Sequence, residues 1–323
     1  MRLIRAVGNP FVLALLCLPT LLAVGLMTSA PLGPQTLQVS LAGAFVAFTI
    51  GSLVVAVLAR APAEIAGPTP STTVIYAALG MDLANRAGVG VGQGLWEIWA
   101  GMSIAVMTMG ALLLVAGSLR LGNFIKFLPA PVTAGFVTGI GLLVIWSQLG
   151  PMLGVAGKMP PLQNLASSLK EASLVVAAVT VLTLVAAKRL SWAGQPVLVA
   201  VSVGTLMFYF IRTVFDAVPL GETLRPLDAK WTAMGTVASI WGVFARGSPV
   251  AVALQVLPYA GLLALQAVMN AATTSVSVGN TLGSRSNVNR TLVAQGVANM
   301  LGGCLGALPG LDPFPRTQMD SWV

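Results

Sequence analysis

The sequence predicts an all-α polytopic membrane protein, and three observations carry that prediction. Apolar runs of roughly 20 residues recur along the chain, each long enough to cross a bilayer as a helix. Of the 323 residues, 56% are hydrophobic and only 8% charged, and the mean hydropathy is +0.89. That leaves too little charge to keep a soluble domain in solution. The 35 glycines and 20 prolines are many for a helical protein. Helices broken inside the membrane account for them, because a helix can stop at depth where its free backbone groups line a cavity. Ordinary tolerance of Gly and Pro in membrane helices is the competing explanation.

Taken in order, the first apolar run covers 11–30. Arg2 and Arg5 ahead of Phe11 give it the look of a signal peptide. The run continues past Pro19 to Ala30, so a retained first helix is expected. Spans of full length follow at 38–60, 95–119, 129–150, 172–188, 194–215, 250–276 and 291–307. Two segments stand apart. Segment 70–83 is too short to cross and follows Gly67-Pro68-Thr69-Pro70. Another begins near 313, after Leu308-Pro309-Gly310, and carries Pro313 and Pro315. Each is expected to be a short helix preceded by an extended half. Paired interrupted segments of this kind point to a transporter's binding site. The stretch 216–248, with Asp216, Glu222, Asp228 and Trp231, is the long polar connection and is expected outside.

Charge sets the orientation. With the N-terminus in the cytoplasm, Arg2, Arg5, Arg60, Arg120, Lys126, Lys188, Arg189, Arg285 and Arg290 all fall inside. The short outside loops then hold Arg86, Lys158 and Lys170. The net charge of +8 is therefore a topology signal and not a nucleic-acid one, since no basic stretch is interleaved with aromatics. The chain has no histidine, which excludes a His proton relay or a His-ligated metal. Cys17 and Cys304 lie in apolar spans and suggest neither a disulfide framework nor a metal site. No nucleophile–base pair, metal cluster or phosphate loop stands at catalytic spacing, so no enzyme and no cofactor are expected.

Four stretches together resemble the SulP family of anion transporters. They are Ile65 to Thr73 around Gly67-Pro68-Thr69-Pro70; Phe127-Leu128-Pro129-Ala130-Pro131-Val132 running on to Gln148-Leu149; Gln295-Gly296-Val297-Ala298-Asn299; and Arg316-Thr317. The resemblance implies an inverted repeat of seven plus seven helices, the uracil-permease-like fold, with helices 3 and 10 as half-helices. It also implies core helices at about 11–119 and 250–323, gate helices at about 129–215 and an external loop at about 216–248. Two half-helix N-termini meeting at mid-membrane suit an anion, because the first N–H groups of a helix lack partners and the dipole is positive there.

The substrate-binding residues the resemblance implies are Thr20, Thr69, Pro70, Ser71, Gln266, Asn270, Phe314 and Arg316. Thr69 and Ser71 hydroxyls can donate to an anion, or can cap the helix instead. Thr20 follows Pro19 in helix 1, where its hydroxyl faces the site or bonds its own helix. Arg316 would attract an anion directly or pair with Asp312 four residues earlier. Gln266 stands where many relatives have an acidic residue on helix 8, and cannot titrate or neutralise a cation. That argues for exchange or uncoupled transport. Its bland alternative, shared with Asn270, is an interhelical hydrogen bond.

The sequence also departs from the family pattern. Leu311-Asp312-Pro313-Phe314-Pro315-Arg316 puts an acid and two residues without N–H groups at the second half-helix. The chain ends at Val323, inside the expected helix 10, so helices 11–14 and the cytoplasmic STAS domain of many relatives lie beyond it. The expected function is secondary transport of a sulfate-, bicarbonate- or chloride-class anion by alternating access. A non-transporting fragment or partner of a split transporter, and a nucleobase permease, are the alternatives. The expected setting is the bacterial inner membrane with the N-terminus cytoplasmic; the expected partners are a small anion, the lipid bilayer and a second copy in a homodimer, with no nucleic acid.

Overall fold

In the computed structural model nine helices and two very short strands carry the described residues, which are 2–59, 66–87, 95–123, 130–154, 170–190, 196–215, 238, 241–242, 249–282 and 287–311. The helices are α1 (Arg2–Ser29), α2 (Leu37–Ala59), α3 (Pro70–Ala87), α4 (Leu95–Ser118), α5 (Ala130–Met152), α6 (Glu171–Leu190), α7 (Pro196–Val214), α8 (Pro249–Leu282) and α9 (Val288–Cys304). Strand β1 (Gly67–Pro68) precedes α3, and β2 (Gly310–Leu311) follows α9. The expected spans match these helices closely. The exceptions are α1, which begins nine residues earlier than the apolar run because Arg2 to Pro10 are already helical, and α8, which continues to Leu282. Leu37–Ala59, Leu95–Ser118, Glu171–Arg189, Pro196–Val214 and Val250–Ser275 are long and apolar enough to cross a membrane. The segment expected from 313 lies outside the described residues.

The chain divides into two units, Met1–Pro19 with Val144–Pro226, and Thr20–Leu143 with Leu227–Val323. In the first unit α6 packs on α7, with Gly204 brought against Thr180. Leu182, Leu206 and Phe210 on these helices are exposed, which suits a hydrocarbon surround.

The second unit holds the larger core, centred on Tyr76, Trp99, Met102, Met109, Leu113, Leu263 and Leu292. Its closest packing is between α4 and α9, and small residues seven apart make it. A Cβ on Gly110 would stand 2.7 Å from the Gly296 carbonyl oxygen, and one on Gly117 would stand 2.7 Å from that of Asn289. A Cβ on Gly303 would come within 3.1 Å of the Ser103 carbonyl oxygen. Ser103, Gly110 and Gly117 thus run antiparallel to Gly303, Gly296 and Asn289. Without a hydrophobic drive between helices in lipid, such backbone approach is what dispersion needs to hold them. At the same end Asn289 donates to Asn123 over 2.9 Å. Arg290 Nε donates to the Leu58 carbonyl over 2.6 Å, placing a cation at the C-terminus of α2 where the dipole favours it.

Candidate functional site

The site grows from the strand pair. β1 and β2 are antiparallel, with Gly67 opposite Leu311 and Pro68 opposite Gly310. Pro68 has no N–H to give, so its pair with Gly310 is the non-hydrogen-bonded kind. The N–H and C=O of Gly310 therefore turn away from β1, and Asn299 on α9 takes both. Its Nδ2 donates to the Gly310 carbonyl and its Oδ1 accepts from the Gly310 N–H, each at 2.8 Å. The same Nδ2 donates to the Gln295 carbonyl one turn back, also at 2.8 Å, which fixes the rotamer. An amide side chain here does the work of a third strand.

The approach to β2 is as closely specified. Helix α9 starts with Asn287 accepting from the Arg290 N–H. It ends in a Schellman motif: Gly306 N–H donates to Gly303 O, and Ala307 N–H to Gly302 O. Gly306 has φ +73°, the left-handed conformation that this motif needs and glycine accepts without strain. Leu308 N–H then donates to Gly43 O of α2 over 3.1 Å. On the other strand Ser52 Oγ donates to the Ala66 carbonyl over 2.8 Å. Each strand is thus held by a polar side chain from a neighbouring helix.

Strand β1 leads directly into α3. Thr69 is the N-cap and Pro70 the first helical residue, where a missing N–H costs nothing. Thr69 Oγ1 accepts from the Thr72 N–H and Thr72 Oγ1 accepts from the Thr69 N–H, each at 3.3 Å, a capping box closed by Thr in place of Glu. The Thr69 carbonyl accepts from the Thr73 N–H at 3.0 Å and from the Thr73 hydroxyl at 2.7 Å. Of the two roles expected for Thr69, capping is the one its bonds display. Among the described residues no group takes the Ser71 N–H. Ser71 Oγ lies 3.0 Å from Thr69 Oγ1 and is half-buried. The helix dipole and one free N–H thus converge at Ser71.

Helix α8 packs on α3 and α4 and touches β2. On it Gln266 is 1% exposed, and among the described residues neither amide atom has a hydrogen-bond partner. Among these residues, the interhelical bond that would have been its ordinary role is not made. Asn270 lies one turn further along and is half-buried. Thr20 on α1 is half-buried between Pro19 and the buried Leu21. Phe314, Arg316 and Asp312 fall outside the described residues. In the second unit, then, Thr69, Pro70 and Ser71 stand together at the start of α3, and Gln266 and Asn270 lie on α8, the helix that packs on α3. Among the described residues no cluster of His, Cys, Asp or Glu could hold a metal ion. The roles of Asn299, Ser52 and Thr72 were not legible beforehand. Asn299 was visible only as the end of the Gln295 to Asn299 motif.

The comparisons with known proteins follow the same lines. The bicarbonate transporter BicA of Synechocystis sp. is 28% identical over 258 residues, which are 77% of this chain and 42% of that protein. BicA of Picosynechococcus sp. is 28% identical over 312 residues, 92% of this chain and 50% of that protein. The chain spans about half the length of the curated relatives it matches. The solved transmembrane domain of a cyanobacterial BicA superposes with a TM-score of 0.69 at 25% identity, covering 97% of this chain and 75% of that one. The fold is thus the helical membrane fold of that transport domain. The family model described as the sulfate permease family matches residues 10–321, and the chain belongs to that family.

Proposed function

We propose that this chain is transport-domain sequence of a secondary anion transporter that moves a bicarbonate-, sulfate- or chloride-class anion by alternating access. The observation that carries the reading is the entrance of α3. A positive helix end and a free N–H at Ser71 mark the start of α3, and α8, which packs on α3, carries the buried amide of Gln266, without a partner among the described residues. Neutral donors aimed at one place attract an anion without trapping it. Membership of the sulfate permease family and the bicarbonate-transporter relatives support the same substrate class.

In this reading Thr69 and Pro70 build the first half-helix entrance, and Ser71, Gln266 and Asn270 contact the anion. Thr20 faces it from α1, and Phe314 and Arg316 supply the second entrance. The two entrances belong to inverted repeats. The helices of 129–215 form the gate, and those of 11–119 and 250–323 the core; support comes from Val144–Pro226 falling in one compact unit, which also takes in Met1–Pro19. Working in the bacterial inner membrane, with the N-terminus cytoplasmic and as a homodimer, completes the proposal. The distribution of Arg and Lys supports the orientation.

The test is uptake of labelled sulfate into proteoliposomes, beside Arg316→Ala, with unlabelled bicarbonate, chloride, oxalate and uracil as competitors. Uptake competed by anions but not by uracil, and lost with Arg316→Ala, is expected. Competition by uracil alone, or no uptake by a correctly inserted protein, would contradict the reading.

A further inference from the structure

Behind the strand pair lies a small cavity of about 10 Å3. Its wall is mostly small side chains, Ala47, Gly51, Ala66, Ala298 and Ala307, and among the described residues no charged one lines it. Among the described residues two polar side chains do: Asn299, whose amide is taken up by Gly310 and the Gln295 carbonyl, and Gln295, 1% exposed, whose Oε1 and Nε2 have no partner among them. A buried amide left without hydrogen bonds is costly, so this arrangement calls for a ligand. The cavity matches the lower end of the ~10–15 Å3 that one water needs, and dry cavities in proteins are apolar. A water also needs two to four polar partners. Gln295 offers a donor and an acceptor. Ala66 and Gly310 also line the cavity, and the carbonyl of each accepts one bond, from Ser52 Oγ and Asn299 Nδ2, leaving a second lone pair.

We propose that this cavity is a hydration site holding one ordered water, bonded to the Gln295 amide and to the carbonyls of Ala66, just before β1, and of Gly310 in β2. Gln295 and Asn299 lie one turn apart on the same face of α9. Asn299 then holds β2 directly, while Gln295 holds the bases of both strands through the water. The site goes beyond the transport reading and stands whether or not the chain carries an anion.

The experiment is a structure of the chain in lipid nanodiscs at a resolution that shows ordered water, determined for the wild type, Gln295→Leu and Gly51→Ala. A density peak about 2.7–3.2 Å from the Gln295 amide is expected in the wild type. It should vanish in Gln295→Leu. It should also vanish in Gly51→Ala, whose added Cβ takes up cavity space at an ordinary 3.4 Å from Ala66 and keeps the test open if the leucine variant does not fold. A cavity without a peak in the wild type, or a Gln295 amide bonded directly to a protein group, overturns the proposal. So does a peak that persists unchanged in Gly51→Ala.

Discussion

Replacing Asn299 by leucine keeps the side chain's bulk and removes the amide that serves β2. Two 2.8 Å bonds to Gly310 disappear, one to its N–H and one to its carbonyl, and Gly310 is buried. Water cannot readily replace them in a site 3% exposed at residue 299. Leaving the buried Gly310 N–H unsatisfied costs ~1–3 kcal/mol, and the carbonyl, which the proposed water also serves, loses one bond of ~0.5–1.5 kcal/mol, so the change amounts to ~1.5–4.5 kcal/mol. The bond to the Gln295 carbonyl adds little, since that oxygen lies inside a helix. Asn299→Asp is the sharper companion. It preserves shape and the acceptor for the Gly310 N–H, but sets a second oxygen against the Gly310 carbonyl, turning one bond into a repulsion. Both variants should lose stability in denaturant titrations in mixed micelles, and the strand pair should show raised amide exchange at Gly310. A loss below ~0.5 kcal/mol for Asn299→Leu, the range of a neutral surface change, would mean that Asn299 does not hold the strand.

Gly110→Val should abolish folded yield, because its side chain meets the Gly296 carbonyl oxygen at 2.7 Å and the Met300 nitrogen at 2.8 Å, both backbone atoms that cannot swing aside. Gly139→Ala on α5, where a Cβ meets nothing within 4 Å, should fold as the wild type does in the same size-exclusion assay. Gln266→Leu should leave stability unchanged or raised, as no protein hydrogen bond is lost, while anion uptake falls; a stability loss above ~2 kcal/mol would assign the amide a structural bond instead. Thr69→Ala should cost ~1 kcal/mol of stability through the cap. Ser71→Ala should leave stability nearly unchanged and weaken the apparent anion affinity roughly tenfold or more, for the ~1.5–3 kcal/mol of a hydrogen bond to a charged group; equal loss of stability in both would mean that Ser71 is part of the cap.

The helices were legible because each is an apolar run of membrane-crossing length, and the half-helix α3 because Gly67-Pro68-Thr69-Pro70 announces an extended segment and a helix start. The pairing of that segment with Gly310–Leu311 was not legible. Two residues carry no strand periodicity, and the partner is more than 240 positions away. Asn299 and Ser52 were hidden for a related reason: each bonds a backbone carbonyl, and a carbonyl is the same in every residue. Thr69 shows the opposite limit. Its dual reading, cap or ligand contact, follows from chemistry, but only the bonds to Thr72 assign the hydroxyl to the cap. Gln266 was recognisable as a neutral residue where the family resemblance implies an acidic one, but its amide, unpaired among the described residues, emerges only when α8 is packed on α3 and α4. The α4–α9 seam was written in the sequence as small residues seven apart, but nothing in the sequence says which helix faces which.

The most direct test of the anion site at α3 is counterflow of labelled bicarbonate into proteoliposomes loaded with unlabelled bicarbonate or sulfate, run with the wild type and Ser71→Ala at matched insertion. Rapid trans-stimulated uptake by the wild type, with the half-saturating concentration raised in Ser71→Ala and its folding intact, is the predicted result. Wild-type counterflow that Ser71→Ala leaves unaltered in both rate and half-saturation would contradict a contact between the Ser71 hydroxyl and the anion at the entrance of α3.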